Sequence, residues 1–224
     1  MRPRVLVSWS SGKDSAWMLH ALRQRDDVEL AGLLTTVNEA FERVAMHAVR
    51  RELLAAQAVA AGLPLAEIRL PWPCANEEYE RRMSAAVDAA RTAGVTHVAF
   101  GDLFLEDVRA YRERQMAGTG LSPIFPLWGL DTAALARQMI AQGLRARLTT
   151  VDPRQLPAGF AGREFDGALL EALPPGVDPC GERGEFHSFC YDGPMFAHPV
   201  GVTPGEIVER DGFVFADLLP ARPT

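Results

Sequence analysis

The stretch SWSSGKDS, residues 8–15, follows directly on the run Arg4-Val5-Leu6-Val7. That run reads as a short buried strand, and Lys13 to Arg25 reads as a helix with Ala16, Leu19, His20 and Leu22 on its inner stripe. The serines, glycine, lysine and aspartate between them are poor core material. They suit an anion. The first turn of a helix presents backbone amides with no partner in the helix, together with the positive end of its dipole. A phosphate placed there meets ready-made donors. Gly12 lets the backbone approach closely, Ser10, Ser11 and Ser15 add hydroxyls, and Lys13 adds a mobile positive charge. Asp14 is the discordant member, since a carboxylate beside phosphates repels them unless a cation intervenes. Mg²⁺ held between the carboxylate and phosphate oxygens resolves the conflict.

Outward from this stretch, strands and helices alternate. Leu30–Val37 is a second strand, and a helix from about Met46 to Ala61 stops at Gly62. Leu65–Leu70 is a third strand, broken by Pro71-Trp72-Pro73-Cys74, where Trp72 reads as packing. Asn76 is expected to cap a helix running through Ala93, and Val95–Gly101 forms a fourth strand. Strands separated by helices of this length predict an α/β fold, a parallel sheet with helices on both faces and right-handed crossovers. Ligands of such sheets lie beyond the carboxyl ends of the strands. Both SWSSGKDS and Gly101-Asp102 fall there. After about residue 120 prolines and glycines thicken, leaving helices near Asp131–Gln142 and Gly167–Leu173 and a strand at Arg145–Val151. Two units are expected, residues 1–119 and a smaller α+β unit at 120–224, without a flexible linker.

Composition narrows the class. The 224 residues are 48% hydrophobic and 23% charged, as in ordinary soluble domains, and no run approaches the roughly 18 apolar residues of a membrane span. No secretory leader is read at Met1-Arg2-Pro3-Arg4, so a reducing cytoplasm is the expected compartment. The net charge of −6 argues against nucleic acid as partner. Arg109, Arg112 and Arg114 alternate with Glu106, Asp107 and Glu113 and read as a solvated helix face. Cys74, Cys180 and Cys190 are too scattered for a disulfide framework. Cys180, His187 and Cys190 lack the close cysteine pair of common zinc motifs, so free thiols are expected.

A second chemistry-bearing stretch is DPCGERGEFHSFCYDGPMF, residues 178–196. Glu182 and Glu185 lie in a glycine-bordered segment where paired carboxylates can hold ammonium, remove its proton or ligate Mg²⁺. His187 is the alternative base.

SWSSGKDS is not a Walker loop, because Val7 stands at the first glycine position and Asp14 follows the lysine. It resembles the Ser-Gly-Gly-x-Asp-Ser loop of the PP-loop ATP pyrophosphatases. Ser10, Gly12, Asp14 and Ser15 match, and Ser11 replaces the first glycine. With Gly101, Glu113, Arg114, Trp128, Gly129, Gly181, Glu182, Gly184, Glu185, Phe186, Asp192, Pro194 and Phe196, the chain resembles the diphthine–ammonia ligase family of PP-loop ATPases, in its bacterial-type branch. The resemblance implies a Rossmann-like adenine-nucleotide α-hydrolase domain and a family-specific C-terminal domain. It also implies ATP-dependent activation of a carboxylate as an acyl-adenylate, release of pyrophosphate, and amide formation with ammonia. Ser10, Ser11, Gly12, Lys13, Asp14, Ser15 and Gly101 are then the ATP-binding residues, with Asp14 toward Mg²⁺. Asp14, Lys13, Glu182 and Glu185 are the catalytic candidates. The expected partners are an unidentified carboxylate, on a small molecule or a protein side chain, and ammonia, with a homodimer as an option. The absence of a CxxC pair argues against the tRNA thiolation that other PP-loop proteins perform. The reading from another class is a regulatory module that holds ATP without turning it over.

Overall fold

The structure, a computed structural model, describes residues 2–44 and 48–221. The chain runs β1 (Arg4–Ser8), α1 (Lys13–Arg23), β2 (Glu29–Asn38), β3 (Arg43–Val44), α2 (Arg51–Ala61), β4 (Leu65–Leu70), α3 (Asn76–Thr92), β5 (His97–Ala99), α4 (Glu106–Met116) and β6 (Ser122–Ile124). Then follow α5 (Thr132–Ala141), β7 (Arg145–Val151), α6 (Gly167–Ala172), β8 (Phe186–Asp192), β9 (Val202–Arg210) and β10 (Phe213–Pro220).

β4, β2, β1, β5 and β6 lie side by side in parallel, and β3 pairs antiparallel with the last residues of β2. The apolar run of β1 explains why the sheet is covered on both sides. Val5 and Val7, both fully buried, point into a core with α1 and α2, while Leu6 points the other way toward Ala90 of α3 and Met116 of α4. The second sheet is antiparallel in the order β8-β7-β10-β9. Its apolar residues Leu148, Phe189 and Leu218 share one core with Leu19 of α1 and Leu53 of α2.

The α/β architecture with a parallel sheet is as the sequence predicts. Three details differ. The second helix begins at Arg51 and not near Met46, which lies outside the described residues. Asn76 is the first helical residue of α3; the cap is Ala75, which makes no side-chain bond. Trp72, read as packing, is 66% exposed. α3 also buries little: only Ala90 of its 17 residues is buried, and its inner stripe of Tyr79, Met83 and Val87 borders a cavity.

Candidate active site

The loop after β1 folds back tightly. Ser11 sits at φ 68°, the left-handed region that a glycine would enter without strain. Two contacts over-determine it. The fully buried Gln57 of α2 donates to the carbonyls of Ser11 (2.9 Å) and Cys190 (2.6 Å) and accepts from the Trp9 indole (2.9 Å). The Cys190 amide also donates to the Ser11 carbonyl (3.0 Å). Strand β8 thus braces the loop from behind. The Ser11 hydroxyl donates to the Ser10 carbonyl and does not line the cavity, so the hydroxyl contact with phosphate expected of it is not available.

Ser10, Lys13, Asp14, Ser15 and Gly101 do line the cavity. Ser10 donates to the Ser15 hydroxyl (3.2 Å), which donates to the Gly12 carbonyl (3.0 Å). Gly12 is the cap of α1 and makes no side-chain bond. The following amides of Asp14 and Ser15 stand in the first turn, where the helix supplies no acceptor. Gly101, beyond β5, passes so close that a Cβ there would meet the Asp14 carbonyl carbon at 3.3 Å and the Ser15 nitrogen at 3.4 Å. Lys13 is not the mobile charge expected. Its side chain is 2% exposed, donating to both Asp14 oxygens (3.0 and 2.8 Å) and to the Cys180 carbonyl. Burial, the largest single effect, pushes this ammonium down, but the groups around it, Asp14 foremost with Cys180 and Glu182, together outweigh it and the net shift is upward.

The two carboxylates of the second motif part company. The Oε1 of Glu182 accepts from the amides of Leu103 (2.7 Å) and Phe104 (3.4 Å) and faces the cavity. Burial pushes its carboxyl up to about 7; the Leu103 amide opposes this, and the carboxylates of Asp14 and Asp102 add to it. Glu185 is 1% exposed and accepts from the amides of Asp178 and Arg183, both at 2.9 Å. It braces its own turn and does not line the cavity, which corrects the catalytic role expected of it. Gly181 makes this divergence feasible. It lies at φ 70°, and a Cβ would meet the Phe186 carbonyl oxygen at 2.8 Å.

The resulting cavity, of about 410 Å³, lies at the carboxyl ends of β1 and β5. One end is polar, with Ser10, Asp14, Asp102, Glu182 and His187; the other is apolar, between Leu6, Leu34 and Val98 of the sheet and Met83 and Val87 of α3. Such a volume and mixture suit a small-molecule site. Sequence reasoning placed Asp102 at this end without giving it a role, and missed Arg112 and Tyr79 as lining residues. Asp102 is raised by burial and faces Arg112 at 3.6 Å, and Arg112 covers the Phe100 ring instead of standing in solvent. Tyr79 completes the rim. Arg109 and Glu113 do form the solvent-side pair expected, at 2.9 Å. Among the described residues, no three His, Cys, Asp or Glu side chains gather as a metal site. Burial pushes the thiols of Cys180 and Cys190 well up.

The family described as "Diphthamide synthase N-terminal domain" matches residues 3–123, more than half of the chain, and "Diphthamide synthase C-terminal domain" matches residues 131–216. The chain belongs to the diphthamide synthase family. A mouse protein named diphthine–ammonia ligase is 27% identical over 98% of this chain and 90% of its own length. The human protein of that name is 26% identical over the same shares. The zebrafish protein is 30% identical over 65% of this chain and 59% of its own length. The SWSSGKDS loop lies in the N-terminal match and Glu182 in the C-terminal one, so the cavity draws on both diphthamide synthase segments. Among the described residues no helix is long and apolar enough to cross a membrane.

Proposed function

We propose that this protein is an ATP-dependent ligase that joins ammonia to a carboxylate, cleaving ATP to AMP and pyrophosphate, as the names of its relatives and the PP-loop resemblance suggest. The observation that carries the reading is the meeting, in one cavity, of the α1 end, the close-passing Gly101 and the buried carboxylate of Glu182. Residues up to about 120 hold the nucleotide, and the remainder supplies the ammonia side. The reaction takes place in the cytoplasm.

The amides of Asp14 and Ser15 hold the β- and γ-phosphates, joined by the hydroxyls of Ser10 and Ser15 once these rotate away from their bonds to Ser15 and Gly12. Asp14 would hold Mg²⁺ as a protein ligand, since the ion is commonly held by one or two carboxylates together with substrate phosphates. Bound there, Mg²⁺ would neutralise charge growing on the departing pyrophosphate. An oxygen of the substrate carboxylate attacks the α-phosphorus, and the bond from that phosphorus to the bridging oxygen breaks. The acyl-adenylate remains. With its carboxyl lifted to about 7, Glu182 is a base poised near neutrality. It takes a proton from ammonium, ammonia attacks the acyl carbon, and AMP leaves with the former carboxylate oxygen, its phosphate taking up the second proton that the nitrogen sheds.

The test is incubation of the protein with α-labelled ATP, Mg²⁺, ammonium and a panel of carboxylic acids. AMP formation that requires both an acid and ammonium supports the reading. ATP binding without turnover across a full metabolite extract would mark a regulatory module instead.

A further inference from the structure

We propose that Lys13 is a positioning residue: its ammonium fastens the turn bearing Glu182 to the start of α1 and makes no contact with phosphate. The inference rests on reading the cavity as a nucleotide site. A lysine next to a phosphate-binding loop invites the opposite role, and its hydrogen bonds oppose it. An ammonium has three N–H donors. All three are spent, on Oδ1 and Oδ2 of Asp14 and on the carbonyl of Cys180. The rings of Phe165 and Phe186 cover the charge, with centroids at 5.5 and 5.3 Å. Lys13 borders the cavity, but its side chain is 2% exposed and its N–H donors are turned to Asp14 and Cys180. Turning the ammonium toward a ligand would strip it of its carboxylate inside the protein, which is strongly unfavourable.

The same contacts explain what the charge does. Cys180 lies two residues before Glu182, and the Gly181 between them is held at φ 70° against Phe186. The backbone amide of Lys13 also donates to the Ser188 hydroxyl at 3.2 Å, so both ends of the residue grip the C-terminal segment. Fixing the Cys180 carbonyl therefore fixes where Glu182 emerges. From there its carboxylate reaches the Leu103 amide at 2.7 Å. Around that carboxylate stand Asp14 and Lys13 from α1, Asp102 beyond β5 with Arg112 of α4 behind it, and His187 of β8.

The test uses the whole protein and two measurements on Lys13→Met, which replaces the buried stem with an apolar one of similar length. First, the carboxyl of Glu182 is titrated by NMR on carboxyl-labelled protein, assigned with Glu182→Gln, and exchange of the Leu103 amide is followed. Released from its tie, Glu182 moves into water, so its midpoint falls from about 7 toward the ordinary carboxylate range and Leu103 exchanges at least ~10-fold faster. A nearby charge acting only through space gives the opposite sign, because losing a cation raises the midpoint. A raised or unchanged midpoint, or unchanged exchange, overturns the positioning role. Second, the ratio of AMP to ATP dissociation constants is compared between Asp14→Asn and Lys13→Met/Asp14→Asn, so that no unpaired carboxylate confuses the result. A ratio kept within ~3-fold is expected; a ~10-fold collapse means that the ammonium does touch phosphate. Should the wild type bind no ATP, the functional reading fails, and the titration still decides the positioning role.

Discussion

At the residue scale, Glu182 and Ser11 carry the sharpest expectations. Glu182 acts as a base only when ionised, and its carboxyl stands at about 7. The ammonia-dependent rate should therefore rise as pH passes upward through that value and level off above it. Glu182→Gln keeps the shape and removes the base, so amide formation should fall by about 10²–10³ while ATP affinity stays within a few fold. Steady-state rates at saturating ATP across pH 6–9 check both; an unaltered limb in the variant would place the base elsewhere. Ser11 holds a left-handed conformation at φ 68° that costs a non-glycine residue about 1–2 kcal/mol. Ser11→Gly should thus be neutral or stabilising by up to about 1 kcal/mol, whereas Ser11→Val should destabilise by about 2 kcal/mol or more. Thermal unfolding of the two variants settles the order. The departure from the glycine of related loops was visible in the sequence. Not visible was Gln57, which sits 46 residues away and offers its amide to hold the strained carbonyl. A lone buried glutamine carries no motif.

At the scale of elements, legibility tracked burial pattern. β1 and α1 were readable because a doubly covered strand is continuously apolar and a helix that follows it has one apolar stripe. β9 was not, because it is exposed along nearly its whole length and contains Pro204, Gly205, Glu206 and Glu209. β10 alternates buried and half-buried positions from Phe213 to Leu218, a period that was there to be read. The division of labour between Glu182 and Glu185 was beyond sequence reasoning. It depends on positive φ at Gly181 and Gly184, which send two carboxylates three residues apart to different sets of amides. The contact between β5's end and α1 yields a further prediction. Gly101 leaves 3.3 Å between an added Cβ and the Asp14 backbone, so Gly101→Val must push the first turn of α1 by a few tenths of an ångström or more. The amides proposed to hold phosphate would then miss their geometry. ATP affinity should drop ten- to a hundredfold, measured calorimetrically, with the helix content unchanged by circular dichroism. Retained affinity would mean that the α1 end is not where the phosphates lie.

For the whole molecule, the decisive expectation is that ATP is cut between its α- and β-phosphates. Three features at different places in the chain converge on it. The loop departs from the Walker pattern at Val7 and Asp14, so a site built to present the γ-phosphate is not expected there. The end of α1, with the first-turn amides of Asp14 and Ser15, opens onto the polar end of the cavity, where donors fixed in advance stabilise charge building on a departing pyrophosphate. Glu182 enters that same end from the C-terminal segment, held on the Leu103 amide, so a nucleophile it deprotonates meets an acyl group activated beside the α-phosphorus. Nucleotide turnover should stay slow until a carboxylate acceptor occupies the cavity, so weak basal ATPase activity decides nothing. Chromatography of α- and γ-labelled products, with the accepted acid and ammonium present, does decide. AMP and pyrophosphate in equal amounts, matching the amide formed, are the expected products; ADP and free phosphate would place the attack at the γ-phosphorus and overturn the adenylation route.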